Sequence, residues 1–271
     1  MHEHPAAFRV TTENLKSMKL YSILTLCLAM AFTSLLAQKT ATPDQIKTNK
    51  GMLTINPVLH GSLVMQWNGK TIYVDPYGGA EAYSNMAAPD MILLTDIHGD
   101  HLDMNTLESI ETSKAVIVAP QAVVDKLPET MKQKAVVLGN GDKTEQIGIN
   151  IEAIPMYNLP ETDDSKHVKG RGNGYVLTIG NKRVYISGDT EDIPEMRNLK
   201  NIDVAFVSMN LPYTMDINQA ASAVLDFKPR VIYPYHYRGQ DGLSDVEAFK
   251  KKVDAGNKNI EVRLRNWYPE K

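Results

Sequence analysis

The hydrophobic positions of this chain fall into short runs of the kind that buried strands use, and the runs recur in two matched series. The first series starts at Met52-Leu53-Thr54-Ile55-Asn56-Pro57 and continues through residues 58–67. Asn68-Gly69 then offers a two-residue hairpin turn, because Asn and Gly tolerate the positive φ that such turns need. Thr71-Ile72-Tyr73-Val74 is the returning strand, rich in β-branched residues and stopped at Asp75-Pro76. Met91-Ile92-Leu93-Leu94 and residues 115–119 and 135–138 read as further buried strands, with helical stretches at 103–112 and 120–127 between them. Strand alternating with helix predicts βαβ units and parallel pairing.

The second series repeats the first. Residues 174–179, the turn Gly180-Asn181-Lys182 and residues 183–187 reproduce the hairpin, and this returning strand also runs into an aspartate, in Gly188-Asp189-Thr190. A helix at 193–198, a strand at 204–208, a helix at 217–227 and a strand at 231–233 follow. Ser244-Asp245-Val246-Glu247 reads as a capping box opening a last helix that Gly256 ends, before a short strand at 262–264. Neither half covers both faces of its own sheet. Packing the two sheets face to face with helices outside satisfies both, so the pattern predicts an α/β protein: a four-layer αββα sandwich of two pseudo-repeated halves.

Residues 1–37 read as leader and signal peptide rather than as part of the fold. Lys16 and Lys19 precede an apolar stretch from Leu20 to Phe32, with Ser34, Ala37 and Gln38 near a cleavage point. Met18 is the expected natural start. Cleavage near Ala37-Gln38 would give a periplasmic or secreted protein with no stable membrane span, a polar tether at 38–50 and one domain at 51–271. The single cysteine, Cys27, lies in the leader, so the mature chain has neither disulfides nor a thiol nucleophile. At 43% hydrophobic, 23% charged and a net charge of −3, the 271 residues show no basic excess for nucleic acid. The expected partner is a small-molecule substrate, and a homo-oligomer is compatible with the chain.

The chemistry concentrates after the strand at Met91. Asp96, His98, Asp100 and His101 fall within six residues, and in a loop such spacing lets alternate side chains converge on one point. Imidazole with carboxylate suits zinc, manganese or iron rather than magnesium or calcium. Two distant residues sit where the architecture brings them to this loop. Asp189 reads either as a ligand or as the N-cap of the helix after it. His236, among aromatics in Tyr233-Pro234-Tyr235-His236-Tyr237, reads either as a ligand or as a hydrogen-bonded core histidine. His60, before Gly61-Ser62, borders the site. Ser187-Gly188-Asp189 lacks the G-x-S-x-G of a nucleophile elbow, which argues against a serine hydrolase.

These motifs resemble the metallo-β-lactamase superfamily, in the branch that contains UPF0173-type hydrolases, ascorbate-6-phosphate lactonase and the N-acylphosphatidylethanolamine phospholipase D group. The family's H-x-H-x-D-H falls on Asp96-Ile97-His98-Gly99-Asp100-His101, its strand-end aspartate on Asp189 and its last histidine on His236. The resemblance implies one metal position served by Asp100, His101 and His236, another by the residues matching Asp96, His98 and Asn158, and Asp189 between them. Two positions depart from the pattern: Asp96 and Asn158 stand where the family has histidines. The second position is therefore expected to be the weaker, suited to Mn²⁺ or Fe²⁺ more than Zn²⁺ unless His167, in the loop after Asn158, folds back as an additional ligand; as a plain loop residue it would be solvated.

The activity implied is that of a metal-dependent hydrolase with one or two Zn²⁺ ions. A metal-activated hydroxide would attack an ester, lactone or phosphodiester bond, with Asp100 and Asp189 as catalytic residues. The alternative is a secreted metal- or ligand-binding protein whose site has degenerated. Lys169 and Arg171, in the same loop as His167, suggest an anionic group on the substrate.

Overall fold

The computed structural model describes residues 43–269, so the expected leader and signal peptide lie outside the described residues. Two seven-stranded sheets form. The first runs in the order β1 (Asp44–Thr48), β2 (Gly51–Leu59), β3 (Ser62–Trp67), β4 (Lys70–Val74), β5 (Met91–Leu93), β6 (Val116–Ala119) and β7 (Ala135–Val137). The second begins with β8 (Lys143–Gln146), β9 (Ile149–Met156), β10 (Gly172–Ile179) and β11 (Lys182–Ile186). It is completed by β12 (Val204–Ser208), β13 (Val231–Tyr235) and β16 (Glu261–Val262), while β14 (Arg238–Gly239) and β15 (Gly242–Leu243) make a small separate hairpin.

The expected repeat is present in the pairing itself. β1 to β4 are antiparallel neighbours and β4 to β7 parallel ones. β8 to β11 are likewise antiparallel, and β11, β12, β13 and β16 parallel. Asn68 and Gly69 both take positive φ, 49° and 72°, as the hairpin turn between β3 and β4 requires.

Side chains alternate across each strand, so successive residues enter different cores. Leu63, Met65, Ile72, Val74, Met91 and Leu93 pack into the large core between the sheets. Val64, Tyr73, Ile92 and Leu94 face the other way, into a cluster with Leu107, Val123, Val124 and Met131. Those last four lie on α1 (Met104–Ser109), α2 (Gln121–Val124) and α3 (Glu129–Lys132). On the second sheet, α4 (Pro194–Arg197), α5 (Ile217–Phe227) and α6 (Val246–Gly256) supply the corresponding layer, with Met196, Ala220, Val224, Phe249 and Val253 buried. The result is the expected αββα sandwich.

Three local readings change. The stretch expected as a tether contains β1, which pairs with β2 from Asp44↔Ile55 to Thr48↔Gly51. Its one apolar residue, Ile46, gave too little alternation to announce a strand. The last helix is capped by Asp245, whose carboxylate accepts from Ala248 N–H, while the Ser244 hydroxyl donates to Met209 O. The capping box belongs instead to α5, where Asp216 and Gln219 cap each other's backbone. The helix expected at 120–127 is shorter, α2 ending at Val124, and an unexpected one-turn helix, α3, starts directly after Pro128, which serves as its N-cap.

Tyr175 ties the two sheets together directly beneath the loop after β5. Its buried hydroxyl donates to Leu94 O at 2.8 Å, a bond between residues 81 apart in sequence. Tyr175→Phe should cost about 1–3 kcal/mol, the penalty for leaving a buried carbonyl without its donor at nearly constant volume. Denaturant unfolding of the two proteins measures it, and an unchanged midpoint would mean that the bond carries no net stability.

Candidate metal centre

The strand ends that carry chemistry all open on the same side. β4 runs into Asp75, β5 into the loop from Leu94 to Asp103, β9 into Tyr157-Asn158, β11 into Ser187-Gly188-Asp189 and β13 into His236. Carboxyl ends of parallel strands are where α/β sheets collect ligands. Of the chain's seven histidines, two precede residue 5; the other five, His60, His98, His101, His167 and His236, all meet here.

His101 lies at the centre and is fully buried. Its Nδ1 is 2.8 Å from Asp75 Oδ2, and Asp75 also accepts from Thr95 N–H (2.8 Å) and the Thr95 hydroxyl (2.6 Å). An imidazole that gives its Nδ1 proton to a carboxylate presents a bare Nε2 lone pair. That Nε2 is 3.4 Å from Asp189 Oδ2 and 3.2 Å from His236 Nε2. His236 Nε2 in turn is 3.4 Å from Asp189 Oδ1 and 3.3 Å from Asp100 Oδ2. Asp100 Oδ2 also meets His60 Nε2 at 3.1 Å, and the far nitrogen of His60 is 2.8 Å from the Tyr268 hydroxyl.

A second constellation lies across Asp189. His98 Nδ1 is 2.6 Å from Asp96 Oδ2, and His167 Nε2 is 3.9 Å from the same oxygen and 3.4 Å from Asp189 Oδ2. Three groups thus have ligand atoms within 4.8 Å of one another: His101, Asp189 and His236; His60, Asp100 and His236; and Asp96, His98 and His167.

The electrostatics call for a cation. Both oxygens of Asp96 and one of Asp189 are buried and accept no well-aligned hydrogen bond among the described residues, although His98 Nδ1 and Arg171 Nε lie near Asp96. Burial alone would push such carboxyls up, yet the surrounding imidazoles hold Asp96 below the usual carboxylate range and Asp189 and Asp100 well below it. Burial likewise pushes His101 down, and Asp189 and Asp75 outweigh it to raise its pKa well above that of a free imidazole. Asp189 would serve a divalent ion at Nε2 as well as it serves that proton. The donor set of imidazole nitrogen and carboxylate oxygen fits such an ion.

Backbone strain aims three of these side chains. His60, Asp75 and His236 each end a strand in the left-handed region, with φ of 58°, 42° and 47°. Non-glycine residues there cost about 1–3 kcal/mol each and persist only when their surroundings hold them. His236 N–H donates to His60 O (3.2 Å), His60 N–H to Trp267 O (3.1 Å) and Asp75 N–H to Leu93 O (2.9 Å).

The expected positions fare unevenly. Asp96, His98, Asp100, His101, Asp189 and His236 come together, and His60 stands at the border in contact with Asp100. His167 is buried rather than solvated. Asn158 directs no free oxygen at the centre: its Oδ1 accepts from the His167 backbone N–H (2.8 Å) and lies 3.1 Å from His167 Nδ1. Lys169, expected to meet an anion, is committed to Glu195 (3.0 Å) and Glu161 (3.3 Å), and Arg171 Nε lies 3.4 Å from Asp96. Asp75 and Tyr268 were not singled out. The repeat was the available signal for Asp75, since it ends β4 as Asp189 follows β11; nothing in the sequence pointed to Tyr268.

Fold and cluster together define an αββα protein with a His/Asp metal centre. Residues 54–236 match the family described as Beta-lactamase superfamily domain. A UPF0173 metal-dependent hydrolase of Pyrococcus abyssi is 32% identical over 194 residues, covering 68% of this chain and 85% of that one. A Parabacteroides distasonis protein classed as a metal-dependent hydrolase is 42% identical, with a TM-score of 0.73 over 82% of this chain and 97% of its own. Igni18, a metallo hydrolase of Ignicoccus hospitalis, shares the fold at 24% identity, with a TM-score of 0.67 over 79% and 94% of the two chains. The chain belongs to the metallo-β-lactamase superfamily, among its UPF0173-type metal-dependent hydrolases.

Asp75→Asn keeps the shape of the His101 partner and removes its charge. Metal affinity should fall about 10–100-fold, the usual effect of losing a carboxylate behind a ligating imidazole. Calorimetric metal titration checks this, and unchanged affinity would mean that packing alone orients the ring.

Proposed function

We propose that the protein hydrolyses an ester, lactone or phosphodiester bond of a small molecule, with one or two divalent ions, zinc foremost, held by Asp100, His101, Asp189 and His236 and by Asp96 and His98. The observation that carries this reading is the set of buried carboxylate oxygens on Asp96 and Asp189 that accept no well-aligned hydrogen bond and face the nitrogens of the converging histidines. Bound there, such an ion supplies a nucleophile of hydroxide strength at neutral pH and polarises the oxygen of the scissile group.

The chain's own residues do the rest. Asp189, between the two constellations, orients the attacking water by accepting its proton-bearing side. Asp100 is ionised, partly exposed and in contact with the His60 and His236 nitrogens, so it can accept a hydrogen bond from the attacking water and direct its proton toward the leaving group. His60 and the Tyr268 hydroxyl hold that carboxylate in place. Asp75 and Thr95 orient His101.

Access favours catalysis over a purely structural metal. The side chains of His98 and Asp100 are 39% and 33% exposed, so the centre is open to solvent, whereas structural sites are closed. Export through the segment before Gln38 belongs to the same reading, and intact-mass analysis of periplasmic protein tests it; a full-length mass retaining Met1 in the cytoplasm would refute it.

Chelation should abolish hydrolysis across lactone, ester and phosphodiester panels, and restoring Zn²⁺ or Mn²⁺ should recover it. It should also lower the melting temperature, because an ion at about 100 times its Kd contributes about 2.7 kcal/mol. Asp100→Asn should retain metal more nearly than His101→Ala while losing most of the turnover. Undiminished hydrolysis in metal-free protein would end this proposal.

A further inference from the structure

Both departures from the family pattern are made good from one loop, the segment between β9 and β10. Asn158, at its start, has exchanged a ligand for a clamp. Its Oδ1 holds the His167 N–H and Nδ1, its Nδ2 donates to Tyr213 O (2.8 Å) and Glu191 (3.2 Å), and its own N–H donates to His167 O (2.9 Å). With Nδ1–H given to an amide oxygen, His167 keeps a bare Nε2, which stands between Asp96 and Asp189. The His98 and His167 rings meet edge to face at 5.1 Å. The other departure, Asp96 for histidine, adds a buried negative charge. Arg171, at the far end of the same loop, sets its Nε 3.4 Å from Asp96 Oδ1.

The loop is built to come this close. Asn173 N–H donates to Thr95 O at 2.9 Å, and a Cβ on Gly172 would lie 2.9 Å from that oxygen and 3.4 Å from Asp96 Oδ1. At the other side Lys169 pins the loop to Glu195 and the Tyr157 hydroxyl.

We infer that His167 is the third protein ligand of the Asp96–His98 metal position, oriented by Asn158, and that metal at this position holds the 159–171 loop closed against the site. The inference rests on the metal-hydrolase reading above. It makes the Asp96–His98 position conditional on the 159–171 loop, whereas the His101–His236 position does not depend on that loop. Loss of the ion at Asp96–His98 would release the loop while leaving the ion at His101–His236 in place. Asn158→His, which restores the family residue, would remove the clamp from His167 and weaken this position instead of repairing it.

Chelator-stripped full-length protein, titrated with Zn²⁺ and separately with Mn²⁺, tests the assignment. Wild type should bind two ions, His167→Ala one and His101→Ala the other one. That reciprocal pattern itself shows that each variant is folded. Asn158→Ala should bind two ions, with the one at Asp96–His98 about 10–100-fold weaker. In hydrogen exchange, metal should slow residues 159–171 in wild type and leave them fast in His167→Ala. Two ions bound with unchanged affinity by His167→Ala would overturn the ligand assignment, as would loss of both ions. Exchange in the loop indifferent to metal would overturn its coupling. If wild type binds no ion at all, the metal-hydrolase reading fails first.

Discussion

A buried imidazole caught between two carboxylates organises this molecule. His101 lies out of water with Asp75 at one ring nitrogen and Asp189 facing the other. Ionised groups leave water only when something of opposite charge goes with them. Asp75 finds that partner in the His101 ring and the Thr95 donors. Asp189 finds only nitrogens that are themselves candidate ligands, and one of its oxygens accepts no hydrogen bond among the described residues. The balance therefore closes through an ion, which is the role the αββα scaffold prepares.

The internal repeat explains how such a pair of aspartates arises. Each half folds as an antiparallel meander followed by parallel strands, and each sends an aspartate beyond its central hairpin. Face-to-face packing brings Asp75 and Asp189 to opposite edges of one ring, so equivalent positions acquire unequal tasks. Asp75 is enclosed and hydrogen-bonded from three directions, which suits it to orienting His101. Asp189 keeps free lone pairs and meets both constellations, which suits it to metal and water.

Tertiary structure also redistributes the basic residues. Lys169 and Arg171 look like anion receptors when seen in a glycine-bordered loop, yet one braces that loop and the other offsets Asp96. A charge near a site in sequence says little about its partner, because a carboxylate from any other segment can claim it first.

The strands, the hairpins, the repeat and the loop from Asp96 to His101 were legible in the sequence because they are local: alternation, turn chemistry and short spacing are properties of contiguous residues. Three long-sheet strands escaped: β1 and β8 are edge strands of the two sheets, and β9 is an interior strand beside β8. Edge strands carry polar residues to discourage pairing with other chains, so Asp44-Gln45-Ile46-Lys47-Thr48 and Lys143-Thr144-Glu145-Gln146 lack the apolar signal that central strands display. The roles of Asn158, His167 and Tyr268 were beyond the reach of pattern. Each depends on which atom a flexible segment brings within about 3 Å of another, and that distance is set by packing between residues 9 to 208 positions apart. The sequence by itself determined the architecture and most of the donor atoms; only the folded chain decided which histidine completes the second constellation and which aspartate stays free to act.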